Sequence, residues 1–513
     1  MRALALPRKD WLLVGSGGLL LVLAYPPFHL LIPSFICLVP VVWLLAAGES
    51  DPRPLRRHLV QGFWFGVVGN ALVLYWMVVA LWHFTSLSAL GYAASVLVLG
   101  MWGALLFGAA GWIRRRTGMS LLVVLPFVWT AVEWMIGHQG DIRFPWLGLG
   151  TSLTGFPALV QIADVVGARG VTFLLVLANA ALALAWKARG EGKKALRLGG
   201  SVVAGAALAW GYGLLRAGQI ELRTVGKLAA IQPAIEAKWE RDPDSVVASL
   251  LALSDSAAGP GVKLVVWPEA AVPQVLEWRP EWVRSISEHA RRKQVGLVVG
   301  ALDVVPSPRY RRGYEYFNAA FVFDSSGAAL WPPYHKNYLV PIVERVPFVD
   351  PQWFERLRWF GGASPGEPGE VYRLSTDRFG ILICYESAFE NLSRRYRMLG
   401  ADFLVNITND AWFGKTSAPY QHAAHLVMRA IENRVGIVRA ANTGISEFVD
   451  PLGRQHHRTR LGDRTLITGE LVTSDTVPLY TRLGDWVGRA SLAGTALLIF
   501  FALRPLRLPA RKL

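Results

Sequence analysis

The feature that most constrains this chain is a series of apolar runs, each long enough to cross a membrane, with every second connecting loop basic. The runs lie at 11–26, 29–47, 60–81, 88–112, 120–136, 170–186 and 198–215, with a further one at 486–503. Each is close to the ~20 residues a helix needs to cross the hydrocarbon core. In lipid every backbone amide must be paired within its own segment, so such runs fold as bundled helices. The first run follows Arg2, Arg8 and Lys9, as in a signal peptide. No small-residue cleavage site succeeds it and further runs follow, so it reads as a retained helix.

The placement of charge sets the expected orientation. Basic clusters fall at the N-terminus, at Arg53, Arg56 and Arg57, at Arg114 to Arg116, across Lys187 to Arg197, and in the tail from Arg504 to Lys512. The alternate loops are nearly bare: YPPFH at 25–29, HFTS at 83–86, and a longer one holding Arg143 and Arg169. The basic loops and both termini are therefore expected in the cytoplasm, and the long segment after the seventh run outside it. This accounts for a net charge of +16 without nucleic acid. With 53% hydrophobic and 18% charged residues, an ordinary soluble chain is excluded. The 2 cysteines, Cys37 and Cys384, lie too far apart for a disulfide framework.

The stretch 137–169 is too polar to span, with Asp141, Arg143, Asp164 and Arg169. It reads as an external loop or as a re-entrant segment lining a cavity. Glu133, near the outer end of the fifth run, is either a functional intramembrane carboxylate or one solvated at the interface.

From about 220 to 482 short β-like runs alternate with helical ones, which predicts an α/β domain. Strands are predicted at Leu228–Gln232, Lys263–Trp267, Val295–Ala301, Asn318–Phe323, Phe379–Cys384, Asp402–Ile407 and Val435–Ala441. Helices are predicted at 242–257, 280–292, 388–399 and 418–433. The expected division is a bundle over 1–218, an extracytoplasmic catalytic domain over 219–483, and an eighth span with a basic tail over 484–513.

Three polar residues stand beside apolar strands in this domain. Glu269 follows KLVVWP, Lys336 sits in WPPYHKNYLVP, and Cys384 ends the run FGILIC. Singly each has a bland reading, as a solvated surface charge or a small core hydrophobe. Together they supply what acyl transfer through a thioester requires. Glu269 can take the thiol proton, Cys384 can attack a carbonyl, and Lys336 can lower the thiol pKa and hold the oxyanion.

These residues lie in motifs that resemble those of the nitrilase superfamily: WPEAA (267–271), YHKNYLVP (334–341) and ICYESAF (383–389). NITNDAWFG (406–414), RAIENR (429–434) and RAANTGIS (439–446) extend the resemblance in order. A bundle of about eight spans around such a domain is similar to one branch alone, the apolipoprotein N-acyltransferases of the bacterial inner membrane. The resemblance implies an αββα sandwich and a Glu269–Lys336–Cys384 triad. It implies supporting roles for Trp239, Asn318, Glu344, Tyr385 and Glu386. One departure stands out: the family reads close to VPFGE where this chain reads VPIVE, so Val343 replaces a glycine before Glu344.

The reaction implied is a ping-pong exchange. A phospholipid acylates Cys384, and the α-amine of a diacylglyceryl-cysteine apolipoprotein takes the chain. No metal or cofactor is expected, and without a long heptad a monomer is expected. Both substrates are held in membrane lipid, so a membrane-touching arm is expected in PQWFERLRWFGG (351–362), carried by Trp353, Phe354 and Trp359. Trp412 and Phe413, with Gly414 as a hinge, form a second lid candidate. Two rival readings remain at this stage: a membrane-tethered amidase using water as the second nucleophile, and a non-enzymatic transporter or receptor.

Overall fold

The structure, a computed structural model, describes residues 4–49, 51–82, 88–236, 241–354, 362–367 and 369–504. The chain divides into two compact units, one from Met1–Val78, Leu87–Leu214 and Asp485–Leu513, the other from Val79–Ser86 and Leu215–Gly484.

Among the described residues 6 helices are long and apolar enough to cross a membrane: Leu31–Gly48, Ser88–Thr117, Leu121–His138, Ala163–Lys187, Gly192–Gln219 and Trp486–Leu503. The pair Pro54–Val73 and Trp76–Trp82, bent by 62°, adds one more if it crosses as a single span. The first helix, Arg8–Ala24, has 17 residues and falls just short of the usual spanning length. Each predicted apolar run is thus helical, those at 29–47 and 60–81 being split over two helices.

The polar stretch after the fifth run makes short 3-10 turns between Gly140 and Leu159, then enters the helix Ala163–Lys187. That helix begins earlier than the hydropathy predicts and is interrupted at Gly167, whose φ of 68° is non-helical. Its polar residues are paired inside the first unit. Asp164 accepts from the Tyr212 hydroxyl at 2.7 Å, and Arg169 donates to Asp485 at 2.9 Å. Glu133 is likewise held internally, accepting from the Leu149 amide at 3.0 Å and from Thr172 Oγ1 at 3.0 Å.

The Arg169 and Asp485 side chains are only 7% and 11% exposed. Removing one partner leaves the other buried charge less well compensated, which typically costs about 3 kcal/mol. Arg169→Met is therefore expected to lower the melting temperature of the detergent-solubilised protein. The Arg169→Met/Asp485→Leu double variant should recover part of that loss. Additive losses would mean that the pair contributes no coupling.

The described residues of the second unit form twelve strands: β1 (Arg223–Gln232), β2 (Val262–Val266), β3 (Gly296–Pro306), β4 (Tyr314–Phe323), β5 (Ala329–His335), β6 (Tyr372–Leu374), β7 (Asp377–Ile383), β8 (Phe403–Thr408), β9 (Gly436–Ala441), β10 (Glu447–Val449), β11 (Gln455–His456) and β12 (Thr465–Thr473). They form two 6-stranded sheets, ordered β12-β1-β2-β3-β4-β5 and β11-β10-β9-β8-β7-β6. β1, β2 and β3 run parallel, as do β7, β8 and β9, and the flanking strands pair antiparallel. The sheets face each other, with β1 and β12 against β9 and β4 against β7. Helix Pro243–Ala257 covers the first sheet, with Pro280–Lys293 packed beside it; Glu390–Met398 and Ala418–Asn433 cover the second. This is the αββα sandwich.

Layering on both faces explains the sequence pattern. Of the central parallel strands, β2, β3, β8 and β9 are mostly apolar, and all of β8 is buried. β5 escapes prediction because WPPYH carries two prolines. It is an edge strand, where a missing amide donor breaks no ladder.

Candidate active site

Glu269, Lys336 and Cys384 each leave the end of a strand. β2 runs into Trp267, a buried anchor whose indole N–H donates to Ser254 Oγ at 2.7 Å. The chain then turns against β3 at Gly300. A Cβ there would lie 2.2 Å from the Pro268 carbonyl oxygen, so only glycine permits the approach. The turn buries the Glu269 carboxylate. Its Oε1 accepts from Asn318 Nδ2 at 2.7 Å and Lys336 Nζ at 3.2 Å, and its Oε2 accepts from the Asn409 amide at 2.8 Å.

Lys336 follows β5, its amide donating to the Asn318 carbonyl at 2.9 Å. Its ammonium is buried between two carboxylates, Glu269 and Glu344, the latter at 2.8 Å. Glu344 also accepts from Asn318 at 3.1 Å and from the Val340 amide at 2.8 Å. The left-handed residue of this loop is Ile342, with φ 72°, and not Val343. The departure from VPFGE therefore falls on a position that does not need glycine's freedom. The unusual conformation is carried by the residue before it.

Cys384 lies one residue beyond β7, buried, with φ 52°. Glu386 braces this turn. Its carboxylate accepts from the Ile383 amide at 2.7 Å, the Asn337 amide at 2.6 Å, the Tyr338 amide at 3.2 Å and the Tyr334 hydroxyl at 2.8 Å. One side chain thus ties the segment bearing Cys384 to the segment bearing Lys336. Burial pushes the Glu386 carboxyl up to about 7, against those donors. Tyr385 is buried edge-on to Phe389, with ring centroids 5.0 Å apart.

The charges define what the site can do. Burial pushes the Cys384 thiol far above its ordinary range, and the Glu269 carboxylate adds to that; Lys336 pulls the other way and is outweighed. Lys336 therefore lowers the thiol pKa only against larger opposing effects. Burial alone would discharge Lys336, but Glu269 and Glu344 hold it protonated. The resting thiol is neutral and feels the charges of a carboxylate–ammonium–carboxylate row. Moving its proton to Glu269 creates a thiolate beside Lys336 without changing the net charge, which is an arrangement suited to general-base activation of a thiol.

The remaining predicted residues are placed unevenly. Asn318 lies on β4 between Glu269 and Glu344. Trp412 and Phe413 form a half-buried 3-10 turn ending at Gly414, whose φ is 56°. Trp353 is 80% exposed on the turn Pro351–Phe354, and residues 355–361 of the expected arm lie outside the described residues. Trp239 and Trp359 lie outside the described residues. Sequence reasoning missed Asn409, which acts through its backbone amide, and Tyr334, which lies inside the YHKNYLVP motif.

Residues 227–479 match the carbon-nitrogen hydrolase family, and residues 17–181 match the apolipoprotein N-acyltransferase N-terminal domain. Apolipoprotein N-acyltransferase of Geobacter metallireducens is 35% identical, with 98% of this chain and 96% of the relative covered. Its counterpart in Bradyrhizobium diazoefficiens is 32% identical, with 96% and 94% covered. Among solved structures, Saccharomyces cerevisiae Nit3, a member of branch 10 of the nitrilase superfamily, aligns at 21% identity and a TM-score of 0.39, covering 49% of this chain and 91% of its own.

Proposed function

The chain belongs to the apolipoprotein N-acyltransferase family, and from that premise we propose that Cys384 carries an acyl chain from a phospholipid to the N-terminal α-amine of a lipid-modified apolipoprotein. The observation that carries the reading is the buried Glu269–Lys336 contact of 3.2 Å, at a strand end whose charges act on the Cys384 thiol.

In the first half-reaction Cys384 Sγ attacks the ester carbonyl as Glu269 takes the thiol proton. Lys336 stabilises the oxyanion. The ester C–O bond then breaks, Glu269 returns the proton to the leaving glycerol oxygen, and a lysophospholipid departs. In the second, the apolipoprotein amine attacks the thioester. Its proton passes to Glu269, the C–S bond breaks and the thiol is restored. Two half-reactions sharing one covalent intermediate give ping-pong kinetics.

Each acyl CH₂ held in the bilayer resists extraction by about 0.8 kcal/mol, so the site must be reached from lipid. The alternating basic loops favour an extracytoplasmic position for the α/β unit in a bacterial inner membrane.

Intact-protein mass spectrometry after incubation with a phospholipid tests the reading. The expected result is a gain of one acyl chain, mapped to Cys384 and discharged by an apolipoprotein amine. A protein that turns over without ever holding an acyl group on Cys384 overturns it.

Glu344→Gln keeps the shape but halves the negative charge flanking Lys336. A catalytic group left less firmly oriented commonly costs up to about 100-fold, and a loss of that order in thioester formation is expected here. Wild-type rates in single-turnover acylation would remove Glu344 from the site.

A further inference from the structure

A second buried polar network holds the backbone of the nucleophile. His422, on the helix Ala418–Asn433, places Nε2 2.9 Å from the carbonyl oxygen of Cys384. A carbonyl can only accept, so Nε2 carries a proton. On the other side of the ring, Nδ1 lies 2.9 Å from Asp410 Oδ1 and 3.1 Å from Arg439 Nη2.

Asp410 is itself fixed. It accepts from Thr408 Oγ1 at 2.9 Å and from Arg439 Nη2 at 2.8 Å. Arg439 also donates to Asn406 Oδ1 and to the Ile445 carbonyl. His422, Asp410 and Arg439 are fully buried. A Cβ at Gly444 would lie 2.1 Å from Asp410 Oδ2, so the loop after β9 closes over the carboxylate only as glycine. Phe413 meets the imidazole edge-on, with centroids 6.1 Å apart.

Such a network is expensive to bury, and it makes a bond into the turn that carries the nucleophile, at the Cys384 carbonyl. Cys384 has a φ of 52°, which a residue with a Cβ keeps only when its surroundings hold it there. Glu386 holds the amide before it, at Ile383. The peptide after it is planar, so fixing the carbonyl oxygen fixes the whole Cys384–Tyr385 peptide unit.

We propose that His422 is a positioning residue for the nucleophile: its Nε2–H locks the Cys384 carbonyl and holds Sγ in the left-handed turn, with Asp410 and Arg439 fixing the imidazole. The proposal rests on Cys384 being the nucleophile. His422 lies well along the chain from Cys384 and belongs to neither the Glu269 nor the Lys336 cluster.

The test compares His422→Leu, which removes the donor, with His422→Gln, whose amide N–H can reach the place of Nε2. Both are made in the full chain in detergent and read in two ways. One is thioester formation on Cys384 from dioleoyl phosphatidylethanolamine. The other is alkylation of Cys384 by iodoacetamide.

In His422→Leu thioester formation should fall about 100-fold, as for a nucleophile displaced by roughly 1 Å from its bound substrate, with the phospholipid KM unchanged, and alkylation should fall with it. His422→Gln should recover to within about tenfold of wild type. Wild-type rates in His422→Leu overturn the proposal, as does a His422→Gln no faster than His422→Leu. If His422→Leu does not fold, His422→Asn, whose amide stops short of the carbonyl, replaces it, and equal rates in the Asn and Gln variants overturn the proposal. His422-dependent alkylation in a protein that never takes up an acyl chain would sink the acyl-transfer reading and leave the positioning role standing.

Discussion

Cys384→Ala protein is expected to fold and to transfer no acyl group, a loss on the order of 10⁴-fold or more, as when a covalent nucleophile is deleted. Two features make the outcome a clean one. The side chain is small and buried, so its removal leaves little cavity. The φ of 52° is left-handed for cysteine and alanine alike, so the substitution neither adds nor relieves backbone strain. Cys384→Gly differs in that respect. Glycine enters the left-handed region without the penalty of about 1–2 kcal/mol that a Cβ incurs. Offset by glycine's greater chain entropy when unfolded, Cys384→Gly should still melt no lower than Cys384→Ala, and both should be inactive. A nucleophile held at a strained position trades stability for reach, and the glycine variant measures that trade. Residual turnover near wild type in either variant would show that another group carries the acyl chain. A Cys384→Gly protein far less stable than Cys384→Ala would show that the turn is not strained.

How much of this was legible in the chain depends on whether a residue acts through its own side chain and from beside its own strand. Glu269, Lys336 and Cys384 each stand beside their own strand; singly each was ambiguous, and only the three together, within their motifs, gave the signal, and the structure brings the first two into contact. The spanning runs were legible because hydropathy is set by the bilayer and not by neighbouring helices. Other parts depend on tertiary context. The carboxylate of Glu386 is a hub for three backbone amides and a tyrosine hydroxyl, and nothing local distinguishes it from an ordinary helix-start glutamate. Asn409 contributes a backbone amide, which any residue but proline possesses. QHAAH at 421–425 lies within the predicted helix 418–433, and nothing local singles out His422 until Cys384, Asp410 and Arg439 close around it. β5 was hidden by its prolines, and its edge position becomes visible only once the sheet order is known.

Glu269→Gln should reduce acyl transfer about 10²–10⁴-fold, the range for loss of a general base, and should do so at every pH from about 6 to 9. The hydrogen bonds explain why the change is severe although it is nearly isosteric. Both carboxylate oxygens accept: Oε1 from Asn318 and Lys336, Oε2 from the Asn409 amide. A carboxamide has one acceptor oxygen, so it cannot satisfy both sets of donors. Its NH₂ group must oppose either Lys336 and Asn318 or the Asn409 N–H. The electrostatics move in the opposite sense. Glu269 is one of the groups that raise the Cys384 pKa, second to burial, so its neutralisation lets the thiol ionise at lower pH than in the wild type. If Glu269 only tuned charge, Glu269→Gln would carry more thiolate at a given pH and would shift the pH–rate profile to lower pH at an undiminished maximum. If Glu269 is the base, the additional thiolate does not compensate, because the proton must also be returned to the leaving glycerol oxygen and later taken from the attacking amine. A carboxyl group serving as base can make all of these transfers, whereas a preformed thiolate supplies only the first. A pH series of single-turnover acylation separates the two cases. A uniformly depressed profile supports the base, and a shifted profile of wild-type height would assign proton transfer to another group.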